Sequence, residues 1–205
     1  TECLVLFFGV PLVVALGRLP FTGRWVKLIL LLSATFICLL YLLWDKNFSK
    51  NRLGGLTKLK LIWKGLLLRS LLCTALLFLL GILFYPQNLF GLLKYRFDIW
   101  LMVFILYPIL SAWPQELIYR SFMFQRYKTI FGENYGMVAA SSVAFAFLHI
   151  IYLNWIAISL TLIAGFIFSI NYKKTGVLAT VALEHAIYGN LLFTIGFGMF
   201  FFRAM

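Results

Sequence analysis

The chain has 205 residues, of which 63% are hydrophobic and 12% charged, and its mean hydropathy is +0.99. Soluble domains contain about 45–50% apolar and 25% charged residues, so this composition excludes a soluble globular domain and predicts an all-α, polytopic membrane protein. The formal net charge of +12 does not indicate a nucleic-acid partner, because the Lys and Arg residues fall between apolar runs. There they set the topology and contact anionic lipid head groups.

About eight transmembrane helices are predicted along a single membrane-embedded domain, residues 1–205, without a repeat or a linker. Trp25–Trp44 is the clearest of them, since a tryptophan anchors each end at the interface. Pro108 is expected to kink the fourth helix. The stretch 115–127 either continues that helix or begins a second one at Pro114. The predicted spans are Cys3–Gly17, Trp25–Trp44, Gly65–Tyr85, Asp98–Trp113, Met137–Leu153, Asn154–Tyr172, Gly176–Tyr188 and Asn190–Phe202.

The basic residues outside these spans give an expected orientation. An even number of crossings puts both termini on one side, together with eleven Lys and Arg residues against five on the other side. By the positive-inside rule, both termini are expected to be cytoplasmic. The eleven are Lys46, Lys50, Arg52, Lys58, Lys60, Lys64, Arg126, Lys128, Lys173, Lys174 and Arg203, and the five are Arg18, Arg24, Lys27, Lys94 and Arg96. We expect no cleaved signal peptide, because no basic residue precedes the first apolar run.

Two other stretches carry structural expectations. Lysines and leucines are interspersed in the polar loop 45–64, which suits either a short amphipathic piece on an anionic leaflet or a merely solvated basic loop. Arg69, one turn into the third span, can snorkel back to the interface. Small residues crowd the span Met137–Leu153, so this helix is expected at the centre of the bundle. The three widely spaced cysteines indicate neither a disulfide framework nor a metal site.

Ionisable side chains interrupt the apolar runs in the second half of the chain. In hydrocarbon such groups are costly unless they are paired or functional. Glu116 and Arg120 share a helix face four residues apart, so we expect an ion pair that is either part of a site or only structural. The ring of Phe145 can pack beside His149, four residues later. Each histidine, His149 and His185, can also serve only to hydrogen-bond between helices.

The residues around His185 add a weaker set of candidates. Glu184 points about 100° away from its neighbour on a helix, so it is not automatically the partner of His185. Tyr188 and Asn190 follow on the same helix, and Asn190 reaches the side of His185 if the helix end is irregular. Two chemistries stay open for these groups together. Either a carboxylate and an imidazole polarise a water while an imidazole and an amide stabilise an oxyanion, or Glu116 and both histidines hold a catalytic zinc.

Three motifs resemble those of the CAAX protease and bacteriocin-processing (CPBP) family of intramembrane peptidases. Residues 115–120 are similar to that family's EExxxR motif, residues 145–149 match its FxxxH motif, and residues 185–190 resemble its HxxxN motif. They occur in the family's order, each on an apolar helix. The resemblance therefore implies a CPBP-like core at about residues 98–202.

The resemblance implies an eight-helix bundle with a conical cavity open to the cytoplasm, in a bacterial or archaeal inner (cell) membrane. It also implies hydrolysis of a peptide bond in a membrane-anchored or lipidated peptide by a glutamate-activated water. Eukaryotic members of the family remove the last three residues of prenylated CAAX proteins, whereas bacterial members process peptides, confer immunity or cut membrane regulators. The motifs map Glu116 and His149 onto the water activators, His185 and Asn190 onto the oxyanion-stabilising pair, and Arg120 onto a structural arginine.

Two departures from the family motifs bear on the activity. Gln115 stands where the family has its first glutamate, and an amide cannot accept a proton from water at neutral pH. Gly189 stands where the family has its asparagine, which moves the amide of Asn190 by about 100°. The alternative function is therefore a catalytically impaired relative that acts as an immunity, binding or scaffold protein. A transporter with a proton relay is disfavoured, because no two halves of the chain repeat.

Overall fold

The computed structural model describes residues 1–17 and 24–201, without the side chain of Arg24. Within these ranges the chain is helical and contains no β-strand. Two of the basic residues used for the orientation, Arg18 and Arg203, and the end of the predicted eighth span lie outside the described residues. The long helices are α1 (Glu2–Ala15), α2 (Arg24–Trp44), α3 (Trp63–Phe84), α4 (Phe97–Arg126), α5 (Tyr135–Leu148), α6 (Trp155–Thr175) and α7 (Leu178–Ile195).

Six of these helices, α2 to α7, are long and apolar enough to cross a membrane, and they confirm a polytopic all-α protein. Helix α1 is shorter, about 20 Å at 1.5 Å per residue. The predicted count of eight is wrong, because the predicted seventh and eighth spans form one helix, α7, followed by the 3₁₀ turn Phe197–Phe201. Gly189, which separates the two predicted spans, lies inside this helix, and the ring of Tyr107 occupies the space where its Cβ atom would be.

Helix α4 is continuous through both of its prolines, over 30 residues. Pro108 begins the π turn Pro108–Ala112, and a second π turn, Leu117–Phe122, follows Glu116. A proline nitrogen cannot donate a hydrogen bond, and a π turn is a local irregularity that a helix can contain without ending. Residues 115–127 therefore largely continue the fourth helix, and no new helix begins at Pro114.

The small residues of α5 place it at the centre, as predicted. Ser141 is fully buried and donates a hydrogen bond of 2.7 Å to the carbonyl of Tyr119 in α4. A Cβ atom added at Gly165 of α6 would lie 3.1 Å from the Cα of Ser142. Close backbone approach of this kind requires small residues on both helices. Helix α5 thus joins α4 and α6 behind the polar site.

The loop 45–64 folds into two short 3₁₀ turns, Lys50–Arg52 and Leu59–Leu61, instead of one amphipathic helix. Arg52 donates from Nε to the carbonyl of Gly176 (3.1 Å) and lies over the ring of Tyr172. Its side chain is therefore held by contacts within the protein. Asp45 accepts a hydrogen bond of 2.7 Å from Gln125, which lowers the pKa of its carboxyl group. The loop therefore docks on the ends of α4 and α6, while contact of its lysines with lipid stays a prediction.

The two ends of α1 contact opposite ends of the bundle. Glu2 accepts hydrogen bonds from Arg126 (2.8 Å) and from the hydroxyl of Tyr127 (2.9 Å), at the end of α4. The other half of α1 packs on the 3₁₀ turn His149–Tyr152, which follows α5. That both termini lie on the cytoplasmic side stays a prediction.

Candidate active site

Glu116 is the centre of a buried polar cluster between α4 and α7. Its side chain is fully buried, and Oε1 lies 2.7 Å from Nδ1 of His185. Oε2 lies 3.1 Å from Nε of Arg120, an ion-pair distance at an angle that does not make a hydrogen bond. The ion pair expected from the spacing is therefore present. The sequence separation between Glu116 and His185 is 69 residues, so the tertiary fold creates their contact.

Arg120 is a fully buried cation held largely by aromatic rings. Its guanidinium carbon lies 4.5 Å from the ring centroid of Phe145 and 5.5 Å from that of Phe168. Nη2 donates to the carbonyl of Gly165 at 3.2 Å, whereas Nη1 has no hydrogen-bond partner among the described residues. Ring faces attract a desolvated cation. Arg120 thus supplies positive charge beside Glu116 in a region that water does not reach.

Both ring nitrogens of His185 have partners. The carboxylate of Glu116 accepts from Nδ1, and the hydroxyl of Tyr107 lies 2.8 Å from Nε2. From these partners we assign a neutral imidazole whose Nδ1–H donates to Glu116 and whose Nε2 accepts from Tyr107. The ring of Phe168 stacks on the imidazole at 4.8 Å and fixes its plane. The arrangement leaves Nε2 as a basic nitrogen held by a carboxylate behind it.

His149 lies in the 3₁₀ turn after α5 and is also buried. Its Nδ1–H donates to the carbonyl of Phe145 at 2.8 Å, and the two rings are 5.0 Å apart, which confirms the predicted Phe145–His149 contact. Within residues 1–17 and 24–201, His149 makes no hydrogen bond or ion pair with Glu116. Its other neighbours are the rings of Tyr152 and Phe201.

The two residues that stand in for the family's polar groups face other partners. Gln115 donates from Nε2 to Ser111 at 2.8 Å, and its buried Oε1 has no hydrogen-bond partner in the part of the chain that is described. Asn190 donates from Nδ2 to the carbonyl of Phe104 at 3.2 Å. Its amide is therefore directed at the backbone of α4 and not at His185. The predicted role of Asn190 beside an oxyanion stays untested.

The side chains proposed as zinc ligands do not fit a zinc ion in this arrangement. Among the described residues, no group of three His, Cys, Asp or Glu side chains is placed to hold a metal. The carboxylate of Glu116 already contacts Arg120 and His185. Both ring nitrogens of His185 are in hydrogen-bond contacts, Nδ1 with Glu116 and Nε2 with the hydroxyl of Tyr107. A zinc site with an open position would need three of these groups to turn their lone pairs toward one point.

A second polar cluster, which the sequence interpretation missed, lies directly beside the first. Glu184 is fully buried and accepts from Nη2 of Arg69 (2.7 Å), the hydroxyl of Tyr188 (2.9 Å) and Nδ2 of Asn171 (2.5 Å). Arg69 was expected to snorkel to the membrane interface, but its guanidinium instead binds the carboxylate of Glu184 on α7. The ring of Phe168 stacks on both Tyr188 and His185, so it lies between the two clusters.

Comparison with known families identifies the fold that carries this site. Residues 96–192 match the family described as Type II CAAX prenyl endopeptidase Rce1-like. This match supports membership of the chain in the CPBP family. The matched segment contains Glu116, His149, His185 and Asn190, together with Tyr107. CPBP membership supports a CAAX-type intramembrane protease as the kind of function. No curated protein and no solved structure matches the chain.

Proposed function

We propose that the chain is an intramembrane endopeptidase that hydrolyses a peptide bond in a membrane-anchored or lipidated protein. The observation that carries the proposal is the contact of 2.7 Å between Glu116 and His185, buried among apolar helices in the family-matched segment. A carboxylate that holds an imidazole through Nδ1 directs Nε2 to act as a base, as in other hydrolases, once a water molecule replaces the hydroxyl of Tyr107 there. Arg120, whose guanidinium lies 3.1 Å from Oε2 of Glu116, is the positioning residue of this pair.

In the proposed reaction, Nε2 of His185 removes a proton from a water molecule, and the water oxygen bonds to the carbonyl carbon of the substrate. The carboxylate of Glu116 stabilises the imidazolium that forms. When the carbon–nitrogen bond breaks, the proton on Nε2 passes to the leaving nitrogen. The products are a carboxylic acid and an amine, the acid then passes its proton to the amine to give a carboxylate and an ammonium ion, and His185 returns to its neutral form. Helices α5 and α6 exclude bulk water from this side of the pair.

A different assignment makes Glu116 the base and His149 its partner, as the motifs imply. In the structure Glu116 faces Arg120 and His185, so this assignment requires a rearrangement on substrate binding. The two assignments differ in the variant His149→Ala. If His149 is the partner, this variant loses about 10²–10⁴-fold in rate, the usual contribution of a general base. If His185 is the base, the loss is about tenfold or less.

The test uses the purified protein in liposomes with a farnesylated CAAX peptide, and with the same peptide lacking the lipid. Fragments are identified by mass spectrometry, and new N-termini are mapped in membranes of cells expressing the protein. We expect cleavage by the wild type and by Arg96→Gln, which changes an exposed pair with Asp98. His185→Ala should lower the rate at least about 100-fold. No cleavage by the wild type would refute the proposed function, and equal rates for the wild type and His185→Ala would refute His185 as the base.

A catalytically impaired relative that binds or protects a membrane partner is the second candidate. The observation that favours it is Gln115, whose amide donates to Ser111 and cannot take a proton from water. If the chain is impaired for this reason, Gln115→Glu should create cleavage that the unmodified protein lacks. Cleavage by the unmodified protein removes this candidate.

The side of the membrane that faces the cytoplasm is also part of the proposal. The loop between α2 and α3 and the ends of α4 and α6 carry most of the lysines and arginines, so we place them in the cytoplasm. The N-terminal end of α1, which contacts Arg126, then lies on the cytoplasmic side. The lysines of the loop 45–64 are available to anionic lipid head groups there.

A further inference from the structure

The proposed reaction needs a neutral hydrogen-bond donor for the negatively charged oxygen that forms on the substrate carbonyl. Asn190, the amide expected to donate, instead binds the carbonyl of Phe104 at 3.2 Å. The hydroxyl group that lies beside the proposed base is that of Tyr107, 2.8 Å from Nε2 of His185. Tyr107 comes from α4 and directly precedes the π turn Pro108–Ala112, which contains Ser111.

Gly189 explains why a tyrosine from another helix reaches this point. A Cβ atom added at Gly189 would overlap Cε1, Cζ and Oη of Tyr107. The head of the phenol therefore occupies the space that a side chain at 189 would fill, one helical turn after His185. The ring of Phe193, one turn further along α7, packs edge-on against the phenol with its centroid 5.4 Å away. The glycine and the tyrosine thus form one complementary pair.

From this pair we infer that the hydroxyl of Tyr107 donates the hydrogen bond that stabilises the substrate oxyanion. The inference rests on the proposed peptidase function and assigns to it a catalytic residue outside the three motifs. Gly189 has no side chain that could donate a hydrogen bond. Its small size leaves room for the hydroxyl of Tyr107, which supplies the donor instead.

The hydroxyl changes its acceptor during the reaction. Before substrate binds, the hydroxyl of Tyr107 lies 2.8 Å from Nε2 of His185. In the neutral tautomer assigned above, the phenol donates its hydrogen to this nitrogen, which is also the one that receives the proton of water. When the substrate carbonyl and a water enter, the water replaces the hydroxyl at Nε2, and the phenol hydrogen turns to the carbonyl oxygen. The oxygen becomes negative as the water oxygen bonds to carbon, and the donated hydrogen bond shortens. The phenol proton itself is not transferred.

The experiment compares Tyr107→Phe with Tyr95→Phe, a matched change at a tyrosine that is 77% exposed. We expect Tyr107→Phe to lower kcat by about 10²–10³-fold, the usual cost of removing one oxyanion donor, with KM changed less than about threefold. Tyr95→Phe should match the wild type. Gly189→Ala, which removes no polar group, should also lower kcat because its methyl group displaces the phenol.

A second pair of variants tests complementarity. Tyr107→Ala opens the space next to Gly189, and Gly189→Asn added to it places an amide there. We expect the double variant to recover at least about tenfold in kcat over Tyr107→Ala alone, as a single donor is restored. Thermal unfolding and size-exclusion profiles of every variant separate loss of fold from loss of rate.

Binding of a phosphinate analogue of the reporter peptide gives a readout that does not need turnover, because its tetrahedral oxygens mimic the oxyanion. We expect Tyr107→Phe to bind it at least tenfold more weakly than the wild type. Equal kcat or equal binding of the analogue in folded Tyr107→Phe would overturn the inference. In the same assay, cleavage by the wild type that His185→Ala abolishes leaves the proposed function standing even if the inference about Tyr107 fails, whereas absence of cleavage by the wild type refutes the function itself.

Discussion

Oε1 of Glu116 and Nδ1 of His185 lie 2.7 Å apart between two helices, at a point where both side chains are buried. Arg120 is the local partner of Glu116, but no residue near His185 in the chain accounts for its contact with Glu116, which is 69 residues away. The carboxylate orients the imidazole, and the imidazole donates a hydrogen bond to the buried carboxylate. Each side chain therefore accounts for the presence of the other. Arg120 neutralises the remaining charge, so the cluster is stable without water.

Removing the cation of this cluster should be strongly destabilising. In Arg120→Met the carboxylate of Glu116 keeps His185 but loses its buried counter-charge, which typically costs about 3–5 kcal/mol. The control is Arg96→Gln, since Arg96 and Asp98 are 59% and 69% exposed and such pairs contribute about 0–1 kcal/mol. Thermal unfolding in one detergent measures both. Similar small shifts in Tm for the two variants would contradict the buried-cation account.

The pair Arg69–Glu184 should show strong coupling between α3 and α7. Nη2 of Arg69 donates to Glu184 at 2.7 Å, and the acid is fully buried. A double-mutant cycle with Arg69→Gln and Glu184→Gln should give a coupling free energy of about 1–3 kcal/mol. The matched cycle on Glu2 and Arg126, which are 49% and 42% exposed, should give less than about 1 kcal/mol. Equal coupling in both cycles would mean that burial of Glu184 adds nothing.

Close packing of α5 on α6 should make Gly165 intolerant of a side chain. A Cβ there would lie 3.1 Å from the Cα and 3.2 Å from the carbonyl oxygen of Ser142, which are backbone atoms. We expect Gly165→Ala to destabilise the protein by about 1–3 kcal/mol through overpacking. Gly91→Ala is the control, since nothing lies within 4 Å of a Cβ at that position. A Tm unchanged in Gly165→Ala would show that the two helices can separate freely.

Metal removal should leave the activity unchanged. The lone pairs of Glu116 and His185 are directed at Arg120, at each other and at Tyr107, so they do not converge on one point. We expect less than stoichiometric zinc by mass spectrometry in the wild type, His149→Ala and His185→Ala, and no effect of a chelator on the rate. One zinc per chain that is lost in both variants would instead establish a metalloprotease site.

The sequence predicted the parts of the fold that depend on local patterns. The span Trp25–Trp44 begins within one residue of α2 and ends with it, because apolar composition and interfacial tryptophans are local signals. The pair Glu116–Arg120 and the contact Phe145–His149 were also predicted, since a spacing of four residues fixes a shared helix face. That the whole chain forms one domain stays a prediction.

Contacts between residues far apart in the chain could not be predicted from the sequence. Gly189 looks like a helix break in one dimension, and the ring of Tyr107 that needs this glycine comes from a helix 82 residues earlier. Arg69 looks like a snorkelling residue because its partner, Glu184, is 115 residues away. Asn190 was assigned its role from a motif position, but its amide donates to the backbone carbonyl of Phe104 in α4. In each case the deciding contact is between helices.

The most direct test of the account is a rate cycle on Glu116 and His185, with the farnesylated peptide in liposomes and variants Glu116→Gln, His185→Gln and the double variant. If the two residues form one catalytic unit, each single change lowers kcat at least about 100-fold, and the double change lowers it no further than the worse single one. A full rate in either folded single variant, or losses that multiply in the double variant, would contradict the claim that the pair carries the reaction.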